Sequence, residues 1–203
     1  MDKSENIFLR ILDIFTHFLL INILWIIFCL PIITIFPSTT ALLGVVRKWT
    51  SEGIEAGLLS LFIKEFKANF KKSFLIGILW GIAAIILYVD YTILLQYEFT
   101  GRMILLTLLI FVTILYSFTS VYIFFVLANY ELSILHSIKN ALFISISYIF
   151  HTLLCIFVIG IAVVITYFVP IFILIFGSVL AFTLYQIFDR LSYKIQRAKQ
   201  QIN

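Results

Sequence analysis

Apolar residues along this chain fall in long unbroken runs, and polar residues gather between the runs rather than alternating within them. A window of about 19 residues separates five runs, at residues 14–36, 74–95, 103–127, 141–167 and 168–188. Each reaches the roughly 20 residues that a helix needs to cross a bilayer. The last two nearly touch, and one helix over both would far exceed a bilayer's thickness. The pattern therefore predicts a break at Tyr167 to Pro170, where proline removes a backbone donor.

Between the first two runs, residues 54–72 read IEAGLLSLFIKEFKANFKK. Leu58, Leu59, Phe62, Ile63, Phe66 and Phe70 share one broad face at helical spacing, and Lys64, Lys67 and Lys71 share another. Bulky apolar and basic faces on one helix are the pattern of a segment lying in the membrane interface. Two readings stay open: an elbow packed on its own bundle, or a docking surface for a partner protein or anionic lipid.

The stretch CLPIITIFPSTTALLGVVRKWT, from Cys29 to Thr50, poses a topological question. Pro31 and Pro37 disfavour a helical residue before them, which predicts a kink and then a stop. Ser38, Thr39 or Thr40 then caps a new helix, whose apolar residues Ala41 to Val46 lead to Arg47, Lys48 and Trp49. Residues 32–46 fall short of a crossing, so the expectation is a membrane exit rather than a second span.

Composition fixes the class. The chain of 203 residues is 63% hydrophobic and 12% charged, with 22 Phe and 10 Tyr, far from the half-apolar average of a soluble domain. It predicts an all-α, polytopic helical transmembrane bundle of about five spans, one domain over residues 1–203, with an amphipathic interfacial helix before the second span. No room remains for a separate soluble enzyme domain. The first run lacks a small-residue cleavage pattern and is expected to be a retained span.

Charge adds orientation. Arg47, Lys48, Lys64, Lys67, Lys71 and Lys72 precede the second run, and Arg190, Lys194, Arg197 and Lys199 follow the last. Bases flanking spans mark the cytoplasmic side, so both regions, and the C-terminus, are expected there. Five spans then place the N-terminus outside, whereas a second short crossing at residues 32–46 would place it inside.

Few residues carry candidate chemistry. Asp90, within the second run, is the foremost, because an acid in a span is costly and often faces a cavity or a partner; Tyr88 and Tyr91 beside it also suit an anchoring role at the outer interface. His151 lies four residues after Ser147 in the fourth run, a spacing that suits helix packing and, with no acid at helical spacing, suits a proton relay less well. Asn22, Ser117, Thr119 and Ser120 read as helix-contact residues. Cys29 and Cys155 have no CxxC pairing and read as small packing residues. Phosphate loops, paired metal histidines and nucleophile elbows are all missing, so neither an enzyme nor a bound cofactor or metal is expected. The basic segments match no nucleic-acid module.

The stretches LPIITIFPSTTAL, FIKEFKANFKKSF, YVDYTIL around Asp90 and FFVLANYELSILHSIKNAL occur in this order along nearly the whole chain. Together they resemble the YesL family of bacterial membrane proteins, which has no established molecular activity. The resemblance implies a helical protein of the bacterial plasma membrane, often encoded beside carbohydrate-uptake or sensory systems, and supplies no catalytic residue. The expected function is a non-catalytic accessory or regulatory component of a carbohydrate ABC transport system. It would contact the lipid bilayer and the permease subunits, through the basic elbow or the connection from Asn129 to Asn140. The alternative is an independent small transporter or channel with a water path past Asp90 and His151.

Overall fold

A computed structural model describes residues 3–53 and 57–202; the first three residues expected in the interfacial segment, Ile54 to Ala56, lie outside the described residues. Within these bounds the chain is helical throughout: α1 (Lys3–Cys29), α2 (Ile35–Glu52), α3 (Leu58–Gln96), α4 (Arg102–Asn129), α5 (Ile134–Ser147), α6 (Ile149–Phe168) and α7 (Phe176–Ile202). Short 3-10 turns at Ile32–Thr34 and Pro170–Leu174 lead into α2 and α7. Among the described residues, four helices are long and apolar enough to cross a membrane: Leu9–Cys29, Leu58–Gln96, Arg102–Asn129 and Ile149–Phe168. Most of their large side chains face outward, as hydrocarbon-facing helices do.

The core belongs to α2. Pro37, Ser38, Thr40 to Val46 and Trp49 are all buried, and α2 packs against α1, α3, α4 and α7. This corrects the expected membrane exit. Trp25 Nε1 of α1 donates to Thr39 Oγ1 at 3.2 Å, and His17 and Phe18 lie against Trp49. The chain therefore turns at Leu30 to Thr34 and returns along α1 through the bundle's centre. Pro37 does not stop a helix; it occupies the first turn of α2, where its missing N–H has no intrahelical partner to lose. The expected Ser38–Thr40 cap is not made either: Thr34 precedes the helix and instead donates at the break, its Oγ1 lying 2.6 Å from the carbonyls of Phe28 and Pro31. Thr40 lies inside, donating to the Phe36 carbonyl at 2.9 Å and accepting from Ser73 Oγ of α3 at 3.1 Å.

Three other elements differ from the pattern reading. The described part of the expected interfacial helix and the second span form one continuous α3 of 39 residues, so the basic segment is an extension of the span. The fourth run breaks at Tyr148 into α5 and α6. Thr152 supports that break: its hydroxyl donates to the Ser145 carbonyl at 2.8 Å and lies 3.3 Å from the Tyr122 hydroxyl of α4, which gives that carbonyl a partner in an apolar setting. The fifth run starts on the end of α6, passes through the 3-10 turn, and continues into α7, which extends to Ile202.

The start of α7 is capped from another helix. Asn22 of α1 is fully buried; its Oδ1 accepts the backbone N–H groups of Gly177 at 2.8 Å and Ser178 at 3.2 Å, and its Nδ2 donates to the Ile173 carbonyl at 2.9 Å. These are donors that the first turn of a helix cannot satisfy itself. Asn22 thus behaves as the helix-contact residue that the sequence suggests. Gly177 is required by the approach, since a Cβ there would lie 2.7 Å from Trp25 and 2.8 Å from Asn22.

Candidate functional site

The most polar constellation of the bundle lies where α2, the basic half of α3 and the end of α4 meet. Leu58, Phe62, Glu65, Ser73 and Ile76 form the buried stripe of α3, at the helical spacing that directs side chains to one face. Glu65 is therefore carried inward, where it is only 6% exposed. Its Oε1 lies 3.1 Å from Lys48 Nζ and its Oε2 lies 3.6 Å from Arg47 Nη2. Gly44 makes this possible, because a Cβ at that position would come within 2.5 Å of Oε2. Arg47 reaches on through Nη1, which donates to the Ala128 carbonyl in the last turn of α4, where a cation is favoured. One guanidinium thus ties three helices together.

Beside this clamp opens a cavity of about 490 Å³ lined by Arg47, Glu65, Asn69, Lys72, Asn129 and Glu131, among others. Asn129 accepts from the Tyr185 hydroxyl of α7 at 3.0 Å, and partial burial raises the Tyr130 phenol above its ordinary pKa. The cavity mixes two bases with two acids and presents neutral amides. Such a lining suits structural hydrogen bonding.

Asp90 and His151 are not brought together. Asp90 lines an apolar groove between α3 and α4, near the turn that joins them. His151 lies beside Thr152, whose hydroxyl neighbours Tyr122; Tyr122 stands 13 residues along α4 from Leu109 of the Asp90 groove, about 20 Å at a helical rise. The break at Tyr148 also separates His151 from Ser147, and the imidazole packs edge-on against Tyr148 at 6.1 Å. Lys64, Lys67 and Lys71 are all exposed on the side of α3 away from the buried stripe; Lys64 also borders a smaller polar cavity with Lys48, Glu52 and Ser60.

Sequence reasoning picked the three lysines and passed over Glu65, although both kinds of residue occur in the same 19-residue stretch. The signal was present: Glu65 falls in register with Leu58, Phe62 and Ile76 on the helical stripe. Of the third-run hydroxyls, Ser120 bridges helices, accepting from Trp80 Nε1 at 2.8 Å, whereas the hydrogen bonds of Ser117 and Thr119 return to carbonyls of their own helix.

These features define a polytopic helical membrane protein in which several internal polar groups, among them Asn22, Glu65 and Ser120, join one helix to another. Residues 18–91 match the family model described as "Protein of unknown function, DUF624". The chain is 26% identical over 185 residues to the uncharacterized protein YesL of Bacillus subtilis, covering 89% of this chain and 85% of that protein. It is 28% identical over 155 residues to the uncharacterized protein YteU of the same organism, covering 75% of this chain and 69% of that protein. The chain is thus similar to YesL over most of its length, and both relatives are uncharacterized. No solved structure matches it.

Proposed function

We propose that this protein is a non-catalytic accessory component of a carbohydrate ABC transport system in the bacterial plasma membrane, with its C-terminus in the cytoplasm. The sugar-transport assignment rests on the resemblance to the YesL family. The observation that carries an accessory role is the mounting of Lys64, Lys67 and Lys71. They stand exposed on one face of α3, while the opposite face is pinned to α2 through buried Glu65. From Leu58 to Lys72 this part of α3 extends about 22 Å before the apolar run at Phe74 begins. A stiff basic post at the cytoplasmic face suits docking on the acidic surface of a permease, where charge steers association.

The test is purification in mild detergent with cross-linking, using the wild-type chain and the triple variant Lys64→Gln, Lys67→Gln, Lys71→Gln. Permease subunits should co-purify with the wild type and be lost from the triple variant with insertion unchanged. Recovery of the wild type only as a self-associated species would overturn the proposal. An independent transporter would need a polar path through the bundle; the groove at Asp90 and the polar cavity at Glu65 belong to opposite ends of the α3–α4 pair, which favours the accessory reading.

A further inference from the structure

Asp90 stands in the wall of a groove of about 480 Å³ between α3 and α4, and every other residue lining that groove is apolar, including Ile86, Leu94, Phe99, Leu105 and Leu109. The residue is exposed, and its carboxylate has no hydrogen bond or ion pair among the described residues. Asp90 precedes the end of α3 at Gln96 by six residues, about 9 Å at the helical rise from the turn that joins α3 and α4. A side chain as short as aspartate cannot reach back over that distance as a lysine or arginine would. An acid at such a depth is costly and, in membrane proteins, almost always paired.

We infer that the groove receives a membrane helix of a different protein, and that a lysine or arginine on that helix pairs with Asp90. The inference rests on the accessory reading above and supplies the partner's chemistry: an apolar helix face with one base about 10 Å from the end nearer the α3–α4 turn. A second copy of this chain does not carry that pattern. Among its long apolar helices, Arg102 starts α4 at the turn itself, and Arg10, on the part of α1 before His17, shares the opposite, basic end of the bundle with Lys64, Lys67, Lys71 and Lys72, because Trp49 beside His17 closely follows Arg47 and Lys48, which pair with Glu65. His151 is likewise remote from the turn, about 20 Å farther along the bundle.

The test uses the full-length chain, donor-labelled and reconstituted in phosphatidylcholine vesicles, with an acceptor-labelled leucine-rich spanning peptide. One peptide carries a single lysine about 10 Å from one end and the other carries leucine there. Energy transfer should report roughly tenfold tighter association of the lysine peptide, and the preference should vanish in Asp90→Asn, which keeps the shape and removes the charge. Equal association of both peptides, or a preference that survives Asp90→Asn, would overturn the inference. The co-purification described above is a separate readout. If permease subunits co-purify but no peptide preference is found, the groove inference fails and the accessory reading stands. If nothing co-purifies but the preference depends on Asp90, the accessory reading fails and the pairing chemistry of the groove stands.

Discussion

The Oδ1 atom of Asn22 accepts the backbone N–H of Gly177 at 2.8 Å, so that a side chain of the first helix caps the last one across 155 positions of sequence. In Asn22→Ala the donors of Gly177 and Ser178 lose their acceptor in an apolar setting, at a cost of about 1–3 kcal/mol. Gly177→Ala drives a methyl group into Trp25 and the same amide, with a penalty of about 1–3 kcal/mol for overpacking. Both substitutions attack one contact, so the double variant should lose less than the sum of the singles. Reversible unfolding in mixed micelles measures all three, and strict additivity would show that the cap is not what the substitutions remove.

The buried carboxylate of Glu65 leads to a second expectation. Replacing it with glutamine leaves Arg47 and Lys48 without their anion, but their side chains are 33% and 24% exposed and water screens them in part. The loss is therefore set at about 1–3 kcal/mol, below that for a fully buried pair. Arg47→Lys should be worse tolerated than Lys48→Arg, because only the guanidinium of Arg47 also reaches the Ala128 carbonyl of α4. Thermal unfolding in detergent ranks the variants, and an Arg47→Lys protein as stable as wild type would refute the three-helix tie.

Thr152 offers a matched comparison with Thr166. The Thr152 hydroxyl bonds the Ser145 carbonyl across the break at Tyr148, whereas Thr166 bonds the Ala162 carbonyl within the uninterrupted α6. Thr152→Val should cost about 1 kcal/mol, and Thr166→Val should change stability by less than about 0.5 kcal/mol, since that carbonyl retains its helical partner. Equal effects of the two substitutions on unfolding would remove the assigned role of Thr152 at the break.

The long helices were legible because hydrophobic runs follow directly from the cost of placing polar groups in hydrocarbon. That same signal misleads inside the bundle. Helix α2 contains Ser38, Thr39, Thr40, Gly44 and Arg47, and its hydropathy suggests an interface, yet small and hydroxyl-bearing residues are what allow helices to approach closely within a membrane. Pro37 reads as a stop unless the helix start at Ile35 is known. The register of Glu65 with Leu58 and Phe62 points it inward, but what accepts its charge there, Gly44, Arg47 and Lys48, lies 17 or more positions earlier on another helix, beyond any local pattern. Asp90 and the three lysines are conspicuous in the sequence alone, but the separation of Asp90 from His151 required the register of α3 and α6 against α4.

The return of α2 along α1 gives a topology that labelling can check. Trp49 packs against His17 and Phe18, so Ile7, farther toward the start of α1, and Ser51, near the end of α2, lie beyond that contact at the same end of the hairpin. Both residues are exposed. Single cysteines introduced as Ile7→Cys and Ser51→Cys, with Cys29 and Cys155 replaced by alanine, should react with a membrane-impermeant thiol reagent from the same side of sealed vesicles. Labelling from opposite sides would mean that the chain from Cys29 to Thr50 continues the first span outward instead of folding back, and the central placement of α2 would be wrong.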